Sequence, residues 1–83
     1  MNKWYRLGQQ FSEVLSRKSL NNYLERNNLY NSNSGIQKDF KEKNYIEMCL
    51  MVGIEPEMKE EKQYRHGERK YYFYWGYDKG IER

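Results

Sequence analysis

Alanine is absent from this 83-residue chain, and cysteine, histidine and proline occur once each, as Cys49, His66 and Pro56. A single cysteine excludes a disulfide framework and a multi-cysteine metal site. One histidine without a second ligand nearby offers no metal set, and its place beside Gly67 reads as a solvent-exposed turn with no general-base role. Neither a glycine-rich phosphate loop nor a Ser/His/Asp arrangement is present. No apolar run approaches the roughly 20 residues that span a bilayer. The opening residues Asn2-Lys3-Trp4-Tyr5-Arg6 run straight into amphipathic sequence without the apolar core of a signal peptide, so a cytoplasmic protein is expected. These absences together point away from an enzyme and from any cofactor, towards a protein that acts by binding.

What the chain does have is charge and aromatic rings. Charged residues make up 33% and hydrophobic ones 37%, with a mean hydropathy of −1.24, which is polar for a folded domain. Aromatics at 17% supply large buried areas from few positions, and disordered chains are poor in them. One domain with one modest core is expected, thin enough for a partner or a second copy in a homodimer to share in stabilising it. The formal net charge of +3 is mild beside that of proteins living on phosphate backbones. Abundant Asn, Lys and Tyr with no Ala is a bias of AT-rich coding sequence, as in low-GC bacteria, their phages and their mobile elements.

Helical spacing places Trp4, Leu7, Phe11, Val14 and Leu15 on one stripe, so a helix is expected over about 2–17, with Asn2 as N-cap. Gly8 lies inside that stripe, where it allows close backbone approach. Ser19 is a candidate N-cap for a second helix over about 20–28 that turns Leu20, Tyr23 and Leu24 inward. The stretch Asn31-Ser32-Asn33-Ser34-Gly35 marks a loop. Two capping-box patterns, Ser34-Gly35-Ile36-Gln37 and Asn44-Tyr45-Ile46-Glu47, predict a short charged helix over 35–43 and a buried one over 45–52. Gly53, Ile54 and Pro56 form a stop signal for the latter. The run Arg69 to Tyr77 is aromatic at nearly every position from 71 on, and alternation would divide it between two strand faces. With His66-Gly67-Glu68 as turn, it predicts a C-terminal β-hairpin over about 60–78. The expected fold class is therefore α+β: a small single domain over 1–83, three to four short helices followed by the hairpin.

The surplus of rings on the strand suggests a contact surface. Tyr72 and Tyr74 with Arg65, Arg69 and Lys70 are the candidate contact residues for a host protein or protein–nucleic acid complex, because Tyr and Arg are enriched at interface hot spots. Rings beside cations are also what single-strand binders use to stack bases. Lys38, Lys41 and Lys43 are candidate phosphate contacts, although Asp39 and Glu42 interleave with them as on a solvated, salt-bridged face. The carboxylates Asp39, Glu42, Glu47, Glu57, Glu60 and Glu61 show no catalytic spacing, and Cys49 between Met48 and Leu50 reads as a packed, inert thiol. The order helix, helix, helical segments, hairpin resembles winged-helix DNA-binding domains. That resemblance implies the three lysines at the DNA backbone and Arg65, Arg69 and Lys70 on the wing. The leading expectation is a small non-enzymatic inhibitor or adaptor from a phage or mobile element, an anti-CRISPR-type inhibitor being one example. A winged-helix-like DNA-binding regulator is the alternative.

Overall fold

Asn2 opens the first helix, its Oδ1 accepting the Trp4 N–H at 2.8 Å. A computed structural model of the chain describes residues 2–59 and 62–83. Its elements run α1 (Lys3–Val14), α2 (Arg17–Arg26), β1 (Tyr30–Asn31), β2 (Ile36–Gln37), α3 (Glu42–Val52) and α4 (Glu68–Ile81). α1 stops at Val14 because Leu15 and Ser16 turn to extended backbone and Ser16, not Ser19, caps α2 through the Ser19 N–H at 3.2 Å. The second helix therefore starts three residues before the expected position, and it still buries Leu20 and Leu24. Val14, placed on the inward stripe by spacing, is exposed at the helix end.

The charged helix expected over 35–43 does not form. Tyr30 pairs with Gln37 and Asn31 with Ile36 in a two-stranded antiparallel hairpin in the middle of the chain. Its loop is built by local side-chain bonds that compete with helix. Asn31 Oδ1 accepts the Asn33 N–H, Glu25 accepts the Ser32 N–H, and Gly35 takes a φ of 72°. Ser34 thus closes a turn rather than capping a helix. Asn44 likewise sits inside α3, its Oδ1 accepting the Lys41 N–H at 2.8 Å, so that helix begins at Glu42. Gly53 ends it in the left-handed conformation, with the Ile54 N–H reaching the Cys49 carbonyl at 3.0 Å.

The C-terminal hairpin is the larger correction. Of the span 60–78, residues 60 and 61 lie outside the described residues; the aromatic run itself is α4, a helix of 14 residues. The fold is mostly helical, four helices with the hairpin between α2 and α3. A run aromatic at almost every position satisfies a period of two and a period of 3.6 alike, so periodicity alone does not choose between them. Packing does. Phe73 and Tyr77, one turn apart, are fully buried against α1, while Tyr71 and Trp75 stay on the outside. The helix hides only part of its rings, which is how so small a domain holds them all.

α1 and α4 form the main packing pair of the molecule. Small residues one turn apart on each, Gly8 with Ser12 and Gly76 with Gly80, let the backbones nearly touch. A side chain at Gly8 would run into the backbone of Phe73 and Tyr77, and one at Gly76 into that of Tyr5. Around the crossing, Trp4, Phe11, Phe40 and Phe73 make successive ring contacts at 5.3–5.4 Å. The Tyr77 hydroxyl donates to the Leu15 carbonyl at 2.7 Å, closing the C-terminal end of α1. On the other side Lys3 is almost wholly buried. Its Nζ donates to both oxygens of Glu42 at 2.9 and 2.7 Å and lies 4.2 Å from the centroid of the Tyr45 ring. The Tyr45 hydroxyl in turn accepts the Glu57 N–H at 2.9 Å, strapping the segment after α3 onto the core.

Candidate docking face on the last helix

Gly67, at a φ of 81°, turns the chain into α4, and Glu68 occupies the first turn, where a carboxylate favours the helix dipole. Glu68 also accepts the Arg65 N–H at 2.9 Å and a bond from Lys62 Nζ at 2.6 Å. These contacts hold its carboxyl below the usual range, the Lys62 bond contributing most, and hold the Lys62 ammonium above its own. The segment 62–67 is thereby tied to the helix start.

With Phe73 and Tyr77 facing α1, the 100° step per residue puts Tyr71 and Trp75 at the centre of the outer face. Tyr71 is 64% exposed and Trp75 41%. Their ring centroids lie 6.3 Å apart, Tyr72 flanks both, and Tyr64 reaches Tyr72 at 6.4 Å. Trp75 is backed from below by buried Tyr5, edge-on at 4.9 Å. Cations border the cluster: Lys62 lies over the rings of Tyr64 and Tyr72 at 5.5 and 5.7 Å, and Arg69 over Tyr64 at 5.0 Å. Asn2 Nδ2 donates to the Tyr64 hydroxyl at 2.8 Å, so the ring from the loop is anchored to the cap of α1.

The residues singled out from sequence separate on this geometry. Tyr72 and Tyr74 would share one face of a strand; on a helix they stand about 200° apart. Tyr72 joins the cluster, whereas Tyr74 is half-buried on the opposite flank, its hydroxyl pushed up chiefly by burial, with Arg17 and Tyr30 as electrostatic neighbours. Lys70 goes with Tyr74, donating to the Gln37 carbonyl of the hairpin at 3.2 Å. Arg69 stays with Tyr72, and Arg65 is exposed beside Tyr64. Tyr71, Trp75, Tyr64 and Lys62 were missed as contact residues. The signal for them was the matched pair of small-residue steps, Gly8 to Ser12 and Gly76 to Gly80, which marks a helix crossing and so fixes the outer face.

Lys38, Lys41 and Lys43 are all exposed but do not share a helix. Lys38 follows β2 and borders a hollow of about 400 Å³ with Glu25, Tyr30 and Ile36; Lys41 precedes α3 and Lys43 lies in its first turn. With helix at 68–81, the C-terminal hairpin expected as the wing is not found among the described residues, and the winged-helix resemblance falls with it. His66 is 93% exposed, its Nδ1 lying 3.4 Å from Asp39 Oδ2. Cys49 is buried, and desolvation pushes its thiol up, away from the reactive thiolate. Glu42 and Glu57 are taken up by Lys3 and Arg6. Glu60 and Glu61 lie outside the described residues. Among the described residues no three His, Cys, Asp or Glu side chains gather as a metal set, and no helix is long and apolar enough to cross a membrane.

The chain matches no protein-family model, no curated protein and no solved structure.

Proposed function

We propose that the protein is a small non-enzymatic binding protein that inhibits or adapts a partner protein through the outer face of α4. The observation that carries this is the exposure of Tyr71 and Trp75, one turn apart, on a helix whose other side is locked to α1 backbone to backbone. Trp and Tyr are the residues most enriched at interface hot spots. Rings held on a rigid helix lose little conformational entropy on docking, which leaves more of their burial as affinity. The AT-rich coding bias supports an origin in a phage or mobile element. Cytoplasmic defence or replication machinery is then the class of target, with an anti-CRISPR-type role as one form.

The packing of the cluster argues for a protein partner over stacked bases. Base stacking needs open ring faces. Here the Tyr64–Tyr72 and Tyr71–Tyr72 pairs are edge-to-face, Lys62 lies over the rings of Tyr64 and Tyr72, and Arg69 over that of Tyr64. The test is quantitative affinity capture from lysate of the source organism by wild type and by a Tyr71→Ala, Trp75→Ala double variant with unchanged circular dichroism. A protein held by the wild type and lost with the variant supports the reading. An identical set retained by both sinks it.

A further inference from the structure

We propose a second binding site, in the hollow between the end of α2 and the hairpin. Its ligand is a small zwitterion with an ammonium, a carboxylate and an apolar side chain, as in a free amino acid. The hollow measures about 400 Å³, within the range of small-molecule sites, and shares no lining residue with the ring cluster on α4. Opposite charges line it from separate elements, Glu25 from the last turn of α2 and Lys38 from just after β2. The two do not pair with each other, and the Lys38 ammonium has no hydrogen-bond or ion-pair partner among the described residues. Glu25 Oε2 accepts both the N–H and the hydroxyl of Ser32, which leaves Oε1 open. Those neutral donors keep the carboxyl ionised without cancelling its charge.

The walls are held in place by backbone bonds. Asn28 ends α2 at a φ of 60°, the Leu29 N–H reaches back to the Leu24 carbonyl at 2.8 Å, and the Lys38 N–H donates to the Leu29 carbonyl at 3.0 Å. The Asn28 side-chain amide also lines the hollow and makes no hydrogen bond among the described residues. Tyr30 and Ile36, the latter 62% exposed, add an apolar wall. An amino acid satisfies all of these groups at once: its ammonium meets Glu25 Oε1, its carboxylate meets Lys38 and the Asn28 amide, and its side chain covers Tyr30 and Ile36. Phosphate would meet Lys38 but be opposed by Glu25. A metal cation would find one carboxylate and be opposed by Lys38. A neutral apolar ligand would desolvate both charges with nothing in return.

Amide NMR spectra of the full chain, titrated with L-leucine, L-methionine and L-phenylalanine to about 10 mM, test this. The expected result is saturable shifts at the amides of Glu25, Asn28 and 30–38 with at least one of the three. The corresponding amino-acid amide, which lacks the carboxylate, and the N-acetyl form, which lacks the ammonium, should each bind about tenfold more weakly or worse. Lys38→Met removes a side chain that makes no bond within the fold, so it should weaken binding as much while leaving the spectrum otherwise unchanged. Glu25→Gln keeps an acceptor for Ser32 and should do the same. No saturable shift with any of the three overturns the site. So does equal binding of the amide or N-acetyl forms, or undiminished binding by Lys38→Met. Inorganic phosphate or calcium chloride moving the same amides at lower concentration would replace the zwitterion with a simple ion and overturn the proposal as well.

Discussion

Gly76→Ala adds one methyl group at the point where α4 meets α1. An ideal Cβ there would stand 2.8 Å from the Tyr5 carbonyl carbon and 3.0 Å from its Cα, and closer still to the oxygen. All three atoms are backbone within a helix, so no rotamer change relieves the clash. The helices must part by on the order of 1 Å, and a gap of that size forfeits a quarter to a half of the dispersion attraction across it. Overpacking among side chains that can shift costs about 1–3 kcal/mol, and a rigid neighbour belongs at or above the top of that range. Alanine's better helix propensity returns about 1 kcal/mol. The net loss is about 2–3 kcal/mol, a drop in Tm of about 10–20 °C for a domain of this size.

Gly80→Ala is the milder comparison. Its Cβ would meet the Ser12 side chain, with the Ser12 Cβ at 2.7 Å and the Oγ closer. The hydroxyl can rotate away at the loss of its 2.5 Å bond to the Gln9 carbonyl, but the Cβ contact stays and asks for a small shift of the helix ends. The lost bond, about 1 kcal/mol, is offset by the propensity gain, so Gly80→Ala should cost about 1 kcal/mol, less than Gly76→Ala. Urea unfolding followed by tryptophan fluorescence measures both. Equal stabilities for the two variants, or a Gly76→Ala protein as stable as wild type, would refute the backbone-to-backbone crossing.

Lys3→Ala strands the Glu42 carboxylate beside the core. Breaking a buried pair costs about 3–5 kcal/mol, and since the Glu42 side chain keeps 34% of its exposure, about 2–3 kcal/mol is expected here. Lys3→Met combined with Glu42→Gln should recover most of that loss in the same urea assay. Acid should destabilise the protein in a definite direction. The carboxyls of Glu25 and Glu68 are held low by bonds from Ser32 and Lys62, so the unfolded chain binds protons more readily than the folded one. Their contribution is full above about pH 4.3, the unfolded glutamate value, and is lost as pH falls below it. Urea midpoints should be close at pH 7 and 5.5 and lower at pH 3, and Glu68→Gln should flatten the acid limb. A variant limb as steep as the wild type's would show that the Lys62–Glu68 bond does not contribute.

Where local chemistry decides the backbone, this fold was legible in its sequence. Asn2 caps the first helix, Gly53 and Ile54 end the third, and Gly8 sits where two backbones meet. What escaped was set by tertiary packing. The aromatic run is compatible with strand or helix until something buries Phe73 and Tyr77 together, and that something is α1, some 60 residues earlier. The error then carried through to the site. Strand alternation pairs Tyr72 with Tyr74 and sets Trp75 on the opposite face, whereas the helix exposes Trp75 beside Tyr72 and sends Tyr74 to the Arg17 flank. Ser34-Gly35-Ile36-Gln37 misled for another reason: the capping-box spacing was present, but Gly35, which would be the first residue inside the helix, adopts a positive φ outside the helical range.

The joining of the first and last helices also constrains how the molecule is made. During synthesis Trp4, Leu7 and Phe11 leave the ribosome several seconds before Phe73 and Tyr77, at roughly 5–20 residues per second. Throughout that interval the nascent α1 lacks its main packing partner, and the Gly8 notch it carries cannot close. The pairing that stabilises the domain is of the longest sequence range the chain offers, and such contacts form late. Folding therefore waits on synthesis of α4, and a ribosome paused before Phe73 would hold a sticky amphipathic helix still without its main partner.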